Sequence, residues 1–226
     1  MPELTELQHF ACVFFSGALG FEIGQGAKDL EYRQGLFRGL EDGSIKSRQG
    51  LLKRMLEAIG KPDYFCQALD AKLNLSSMDG LPPMLLQMAD KKVDAAWRRT
   101  FDSPIEWSYT VLGGWMPILL PLLPVMQATA RAPKVSVSFE QINILTGALR
   151  QYSNFLERVP KENAESVLGK DLADQIQRMV DDNQGLAYGA FAIGSSNKTD
   201  WREITVVSQW MTTRFRKAFE TLPLHA

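Results

Sequence analysis

Apolar residues recur every three or four positions along most of the chain, the spacing that lines one face of an α-helix. Over residues 4–15, Leu4, Leu7, Phe10 or Ala11, and Phe14 share a side, and a glycine-bearing turn is expected over 16–26. Residues 27–41 repeat Leu30, Phe37 and Leu40 before Asp42-Gly43 marks a stop. A helix over 45–59 carries Ile45, Leu52, Met55, Leu56 and Ile59, then Gly60 and Pro62, the usual order at a helix C-terminus. A short helix follows over 63–73, with Phe65, Leu69 and Leu73 in register. Pro83 suits the first turn of a helix running to Arg99. Its apolar side is read as Leu85, Met88, Ala89, Val93, Ala96 and Trp97.

Residues 101–137 break the rhythm. Pro104, Pro117, Pro121, Pro124 and Pro133 each lack a backbone donor, so an irregular proline-rich connector is expected there. Val135 to Phe139 alternates as a strand does, but a segment that short makes no sheet alone. Ser138 and Gln141 then form a capping-box pair, and Ile142, Leu145, Leu149, Tyr152, Leu156 and Val159 make an apolar seam ending at Pro160. One helix is expected over 161–182, with Val167, Leu168, Leu172, Ile176, Met179 and Val180 inward. The small-residue run 185–194 fits helix, strand or loop equally. A last helix starts at Asp200 and buries Ile204, Val207, Met211, Phe215, Ala218, Phe219 and Leu222. The pattern predicts an all-α fold of seven or eight helices in a bundle-like array. An N-terminal helical part (1–100) and a C-terminal one (138–226) flank the connector, within one compact domain overall.

Composition narrows the function classes. With 45% hydrophobic and 23% charged residues, the chain has enough apolar material for a core and is not disordered. A formal charge of −1 argues against a nucleic-acid partner, whose phosphates demand a basic excess. Cys12 and Cys66 sit beside aromatic residues and read as small buried hydrophobes of a reducing compartment; no spacing supports a disulfide between them. His9 and His225 lack the paired spacing of zinc ligands, so neither metal nor cofactor is expected. Glu3 and Glu6 make the start acidic where a secretory signal is basic. A soluble cytoplasmic protein is the expectation.

One segment complicates this. Trp107 to Ala130 contains no charged residue, long enough to cross a bilayer. Gly113-Gly114, Pro117, Pro121 and Pro124 interrupt it, which lipid tolerates poorly, so membrane contact through 107–130 is the lesser reading. Its aromatic residues, together with a tryptophan set off the apolar face of the last helix, suit interface anchors. The partner-interface candidates are Trp107, Tyr109, Trp115, Leu119, Leu122 and Trp210.

Chemical leads are weaker. Ser195-Ser196-Asn197-Lys198 matches S-x-x-K without companion motifs. Gly24-Gln25-Gly26 lacks the third glycine and the strand of a phosphate loop. Asp181-Asp182 reads as a solvated helix end. Lys91, Lys92, Arg98 and Arg99 form one basic cluster, interleaved by Asp90 and by Asp94, which stands four before Arg98 as a favourable helical pair. Lys46, Arg48, Lys53 and Arg54 form another; both read as solvated faces, with an acidic partner as the alternative. No catalytic set emerges. The function expected is therefore non-enzymatic interaction with another protein, as an adaptor, chaperone or subunit of an assembly. A binder of apolar ligands or membrane surfaces and a hydrolase built on Ser195 are the alternatives.

Overall fold

The computed structural model describes residues 3–24, 45–122, 139–184 and 201–222. Over these it is helical, without a strand: α1 (Glu6–Gly24), α2 (Ile45–Ala58), α3 (Tyr64–Ser76), α4 (Pro83–Thr100), α5 (Pro104–Leu119), α6 (Phe139–Arg158), α7 (Lys161–Leu168), α8 (Lys170–Asp182) and α9 (Trp201–Phe219). Every one of them contributes to the apolar core.

The organising element is α1. It carries no charge from Phe10 to Phe21 and is buried on all sides from Phe10 to Gly20. A helix apolar all round has to sit inside its protein, and α2, α3, α5, α7 and α9 pack against it. Thr5 and Gln8 start it with a capping box: the Gln8 amide donates to Thr5 Oγ1 (3.2 Å), and the Thr5 amide to Gln8 Oε1 (3.0 Å).

The expected turn from residue 16 gives way to continuous helix as far as Gly24. The small residues there are contact points with a neighbour, not breaks in the chain. A β-carbon on Gly17 would stand 1.9 Å from the carbonyl oxygen of Thr110, and one on Gly113 would stand 1.8 Å from that of Phe14. Glycine at both positions lets α1 and α5 approach backbone to backbone, which makes this the most extensive helix pairing among the described residues.

The irregular connector is likewise corrected over 104–119, which form α5. Pro104 takes the first helical position after the extended Ser103, where a missing donor costs nothing. Pro117 lies inside the last turn, so only the end of the helix loses a hydrogen bond. One side of α5 packs on α1 and another on α6. Residues 123–137 lie outside the described residues.

Elsewhere the pattern and the structure agree closely. After α2 the Gly60 amide donates to the Glu57 carbonyl and the Lys61 amide to that of Leu56, with Gly60 at φ +67°, the glycine stop expected there. Leu145, Leu149, Tyr152 and Val159 of the α6 seam are buried, as are Ile204, Val207, Met211, Phe215, Ala218, Phe219 and Leu222 in and just after α9. The single helix expected over 161–182 is split by Gly169, whose φ of +84° only glycine adopts without strain. The helix read over 27–41, the alternation 135–139 up to Phe139, the Ser138 cap, the run 185–194 and Asp200 fall outside the described residues.

Candidate functional site

The interface candidates divide by burial. Tyr109 and Leu119 are fully buried and belong to the chain's own core, which corrects their reading as partner contacts. The Tyr109 ring meets Phe10 at 4.5 Å and Phe155 at 4.9 Å, and its hydroxyl donates to Asn163 Oδ1 (3.3 Å). Burial, and then the Glu6 carboxylate, push the phenol well above its usual range. Trp115 is half-buried and lies over Gly147 of α6, where a β-carbon would come within 2.4 Å of its ring. Trp107 is half-buried too, edge-on to Trp97 at 5.0 Å. Leu122, just past α5, is also half-buried. Trp210 stands out: it is 46% exposed, on the same helix as Val206 at 52%.

A polar cluster without a local signal in the sequence closes the N-terminal end of α1. His9 Nε2 lies 2.9 Å from Glu106 Oε1, and Lys61 Nζ lies 2.6 Å from Glu106 Oε2. The glycine stop after α2 places Lys61, and the first turn of α5 places Glu106. Burial works to raise the Glu106 carboxyl, but the His9 hydrogen bond and Lys61 outweigh it and hold the group below the usual carboxylate range. Nearby, Glu6 accepts from Asn163 Nδ2 (2.9 Å) and Ser166 Oγ (2.5 Å), tying α1 to α7. These contacts join distant stretches of chain; their chemistry is that of a clamp.

A second ion pair corrects the reading of Arg48 as part of a solvated face. Arg48 and Glu22 are both buried, with Nη1 2.9 Å from Oε2. Lys53, by contrast, is exposed. Cys12 and Cys66 are buried and unpaired with one another, and burial raises both thiols to about 12. Among the described residues no three His, Cys, Asp or Glu side chains are grouped to hold a metal ion, and no helix is long and apolar enough to cross a membrane. Asp181 and Asp182 are exposed at the end of α8. Gly24 ends α1, whereas Gln25, Gly26 and the S-x-x-K residues Ser195 to Lys198 lie outside the described residues.

The most unusual surface is α4. Ala89, Val93 and Thr100 are its buried residues. Leu85 and Met88, read from sequence as core-facing, are 38% and 48% exposed, and Met84 is 66% exposed. Helix geometry gives the reason for the two methionines: at about 100° per residue, Met84 lies about 180° and Met88 about 140° from Val93. Met78, in the turn between α3 and α4, adds a fourth large apolar side chain at 59%. Further along the helix lie Lys91, Lys92, Ala95, Arg98 and Arg99, all exposed. Arg98 stacks over Trp107 at 4.8 Å and Arg99 over Tyr64 at 4.0 Å, contacts that fix the two guanidinium groups without neutralising them. Of the acids of α4, Asp90 is bound by Lys72 at 2.6 Å.

No protein-family model matches the chain, and no curated protein or solved structure matches it either.

Proposed function

We propose that this chain is a non-enzymatic interaction protein, an adaptor or structural subunit of a larger assembly, working in the cytoplasm. The observation that carries the reading is the exposed set Met84, Leu85 and Met88, neighbours on α4 by helical spacing, with Met78 exposed in the turn before it. Single exposed apolar residues are ordinary, whereas several together mark a partner site. Methionine suits such a surface because its unbranched, polarisable side chain adapts to the shape it meets. Val206 and Trp210 supply a second exposed apolar pair on α9, which packs against α1, α6 and α8, while α4 packs against α3. Two such surfaces on differently packed helices suit an adaptor. The two buried thiols accord with a reducing compartment.

The test compares tagged wild-type protein with Met84→Ser/Met88→Ser and with Val206→Ser/Trp210→Ser, each purified from the source cell at native abundance. A partner recovered in fixed ratio with wild type and lost with the α4 variant supports the reading. Wild type recovered alone, or an α4 variant that keeps every partner, contradicts it.

A further inference from the structure

We infer that the outer stripe of α4 receives an acidic amphipathic helical segment of a partner protein. The inference rests on the interaction reading above and adds the chemistry of the partner. Along the stripe the apolar block of Met84 and Met88 comes first, and the basic block of Lys91, Lys92 and Arg98 follows. From Met84 to Arg98 the distance is about 21 Å at 1.5 Å per residue, about four turns of a partner helix. A segment with apolar side chains over two turns and carboxylates over the next two matches it in shape and charge.

The order of the two blocks favours this occupant over a lipid surface, and two further contacts leave the cations available to carboxylates. Helices that lie on bilayers carry their basic residues along the flanks of one continuous apolar face, whereas here the two blocks succeed one another along the axis. The acid next to Lys91, Asp90, is occupied by Lys72, so that among the described residues Lys91 and Lys92 have no ion pair to give up on binding. The stacked Arg98 is held in place by Trp107, and a preorganised guanidinium gives up less freedom to a carboxylate than a free one.

The experiment places the photo-crosslinking residue benzoylphenylalanine at position 88 of the full chain, irradiates it in the source cell and sequences the adduct by mass spectrometry. Affinity for the identified partner is then measured with Lys91→Glu/Lys92→Glu, at low and high salt. An adduct in a segment with carboxylates at helical spacing, together with at least a tenfold loss of affinity on charge reversal and a marked loss in high salt, is the expected result. A partner adduct in a segment without carboxylates, or affinity unmoved by charge reversal, overturns the inference while leaving the interaction reading intact. An adduct within this same chain, transfer to phosphatidylserine vesicles in place of protein, or no adduct at all overturns both. Unchanged thermal unfolding of the charge-reversed protein shows that its fold is retained.

Discussion

A β-carbon on Gly113 would stand 1.8 Å from the carbonyl oxygen of Phe14, so the crossing of α1 and α5 is closed to any larger residue. The obstacle is backbone, which has no rotamer to move to. Gly113→Ala is expected to cost about 3 kcal/mol or more, the upper end of overpacking effects, measured by denaturant unfolding. Gly50→Ala is the contrast: its β-carbon would meet only Arg54 Nη1 at 3.5 Å, so the gain in helix propensity should stabilise the protein by about 0.5–1 kcal/mol. Equal effects at the two sites would show that the close crossing is wrong.

The buried pair Glu22–Arg48 should behave as two charges that tolerate each other better than either tolerates solitude. Removing one partner, by Glu22→Leu or Arg48→Met, is expected to cost about 3–5 kcal/mol. The double replacement should cost clearly less than the sum of the two. A double-mutant cycle on unfolding free energies reads the difference, and strict additivity would contradict the pairing.

Acid should loosen the clamp at Glu106. Its folded carboxyl titrates below the ordinary value, so as pH falls the unfolded chain takes up the proton first. The stabilisation is complete above the unfolded pKa of about 4.3 and is lost as pH falls through the lower folded value. Lys61→Met removes one of the groups holding the proton off, and the midpoint of acid unfolding should move to higher pH. An unmoved midpoint would mean that Lys61 does not act on this carboxylate.

The thiols of Cys12 and Cys66, raised to about 12 by burial, should be inert in the folded protein. At pH 8 a thiol of that kind is ionised only about one part in ten thousand, and only the thiolate reacts. Titration with a chromogenic disulfide is expected to find neither cysteine until denaturant is added, and then both. Rapid reaction of either in the native protein would contradict their placement.

Much of the fold is legible because its signals are periodic. The seam from Leu145 to Val159 and the inward set of α9 follow directly from spacing. Most departures come from glycine and proline, whose role spacing alone does not decide. Gly169 breaks a helix that the periodicity carries through, and others that read as punctuation do not break theirs. Gly17 and Gly113 are contact surfaces inside helices and Pro117 lies near the end of one, roles that leave no local signal. Ser103-Pro104 with Glu106, by contrast, is the same kind of helix start that Pro83 marks, and is hidden only by the prolines that follow it. Glu106 is hidden in the sequence because its partners His9 and Lys61 lie far off along the chain. The α4 surface is different, since its geometry can be worked out from spacing alone. Proximity groups Met88 with Ala89 and Val93, although five residues of helix rotate it about 140° away from Val93.

The central claim, that the α4 face is covered by a partner, is tested most directly by oxidising methionines with dilute peroxide in the isolated protein and in intact cells. Met55, Met116, Met179 and Met211 are fully buried and serve as internal references that stay reduced in both settings. Met84 and Met88 are expected to oxidise readily in the isolated protein and to be protected in the cell. Equal oxidation of the two in both settings would contradict the account.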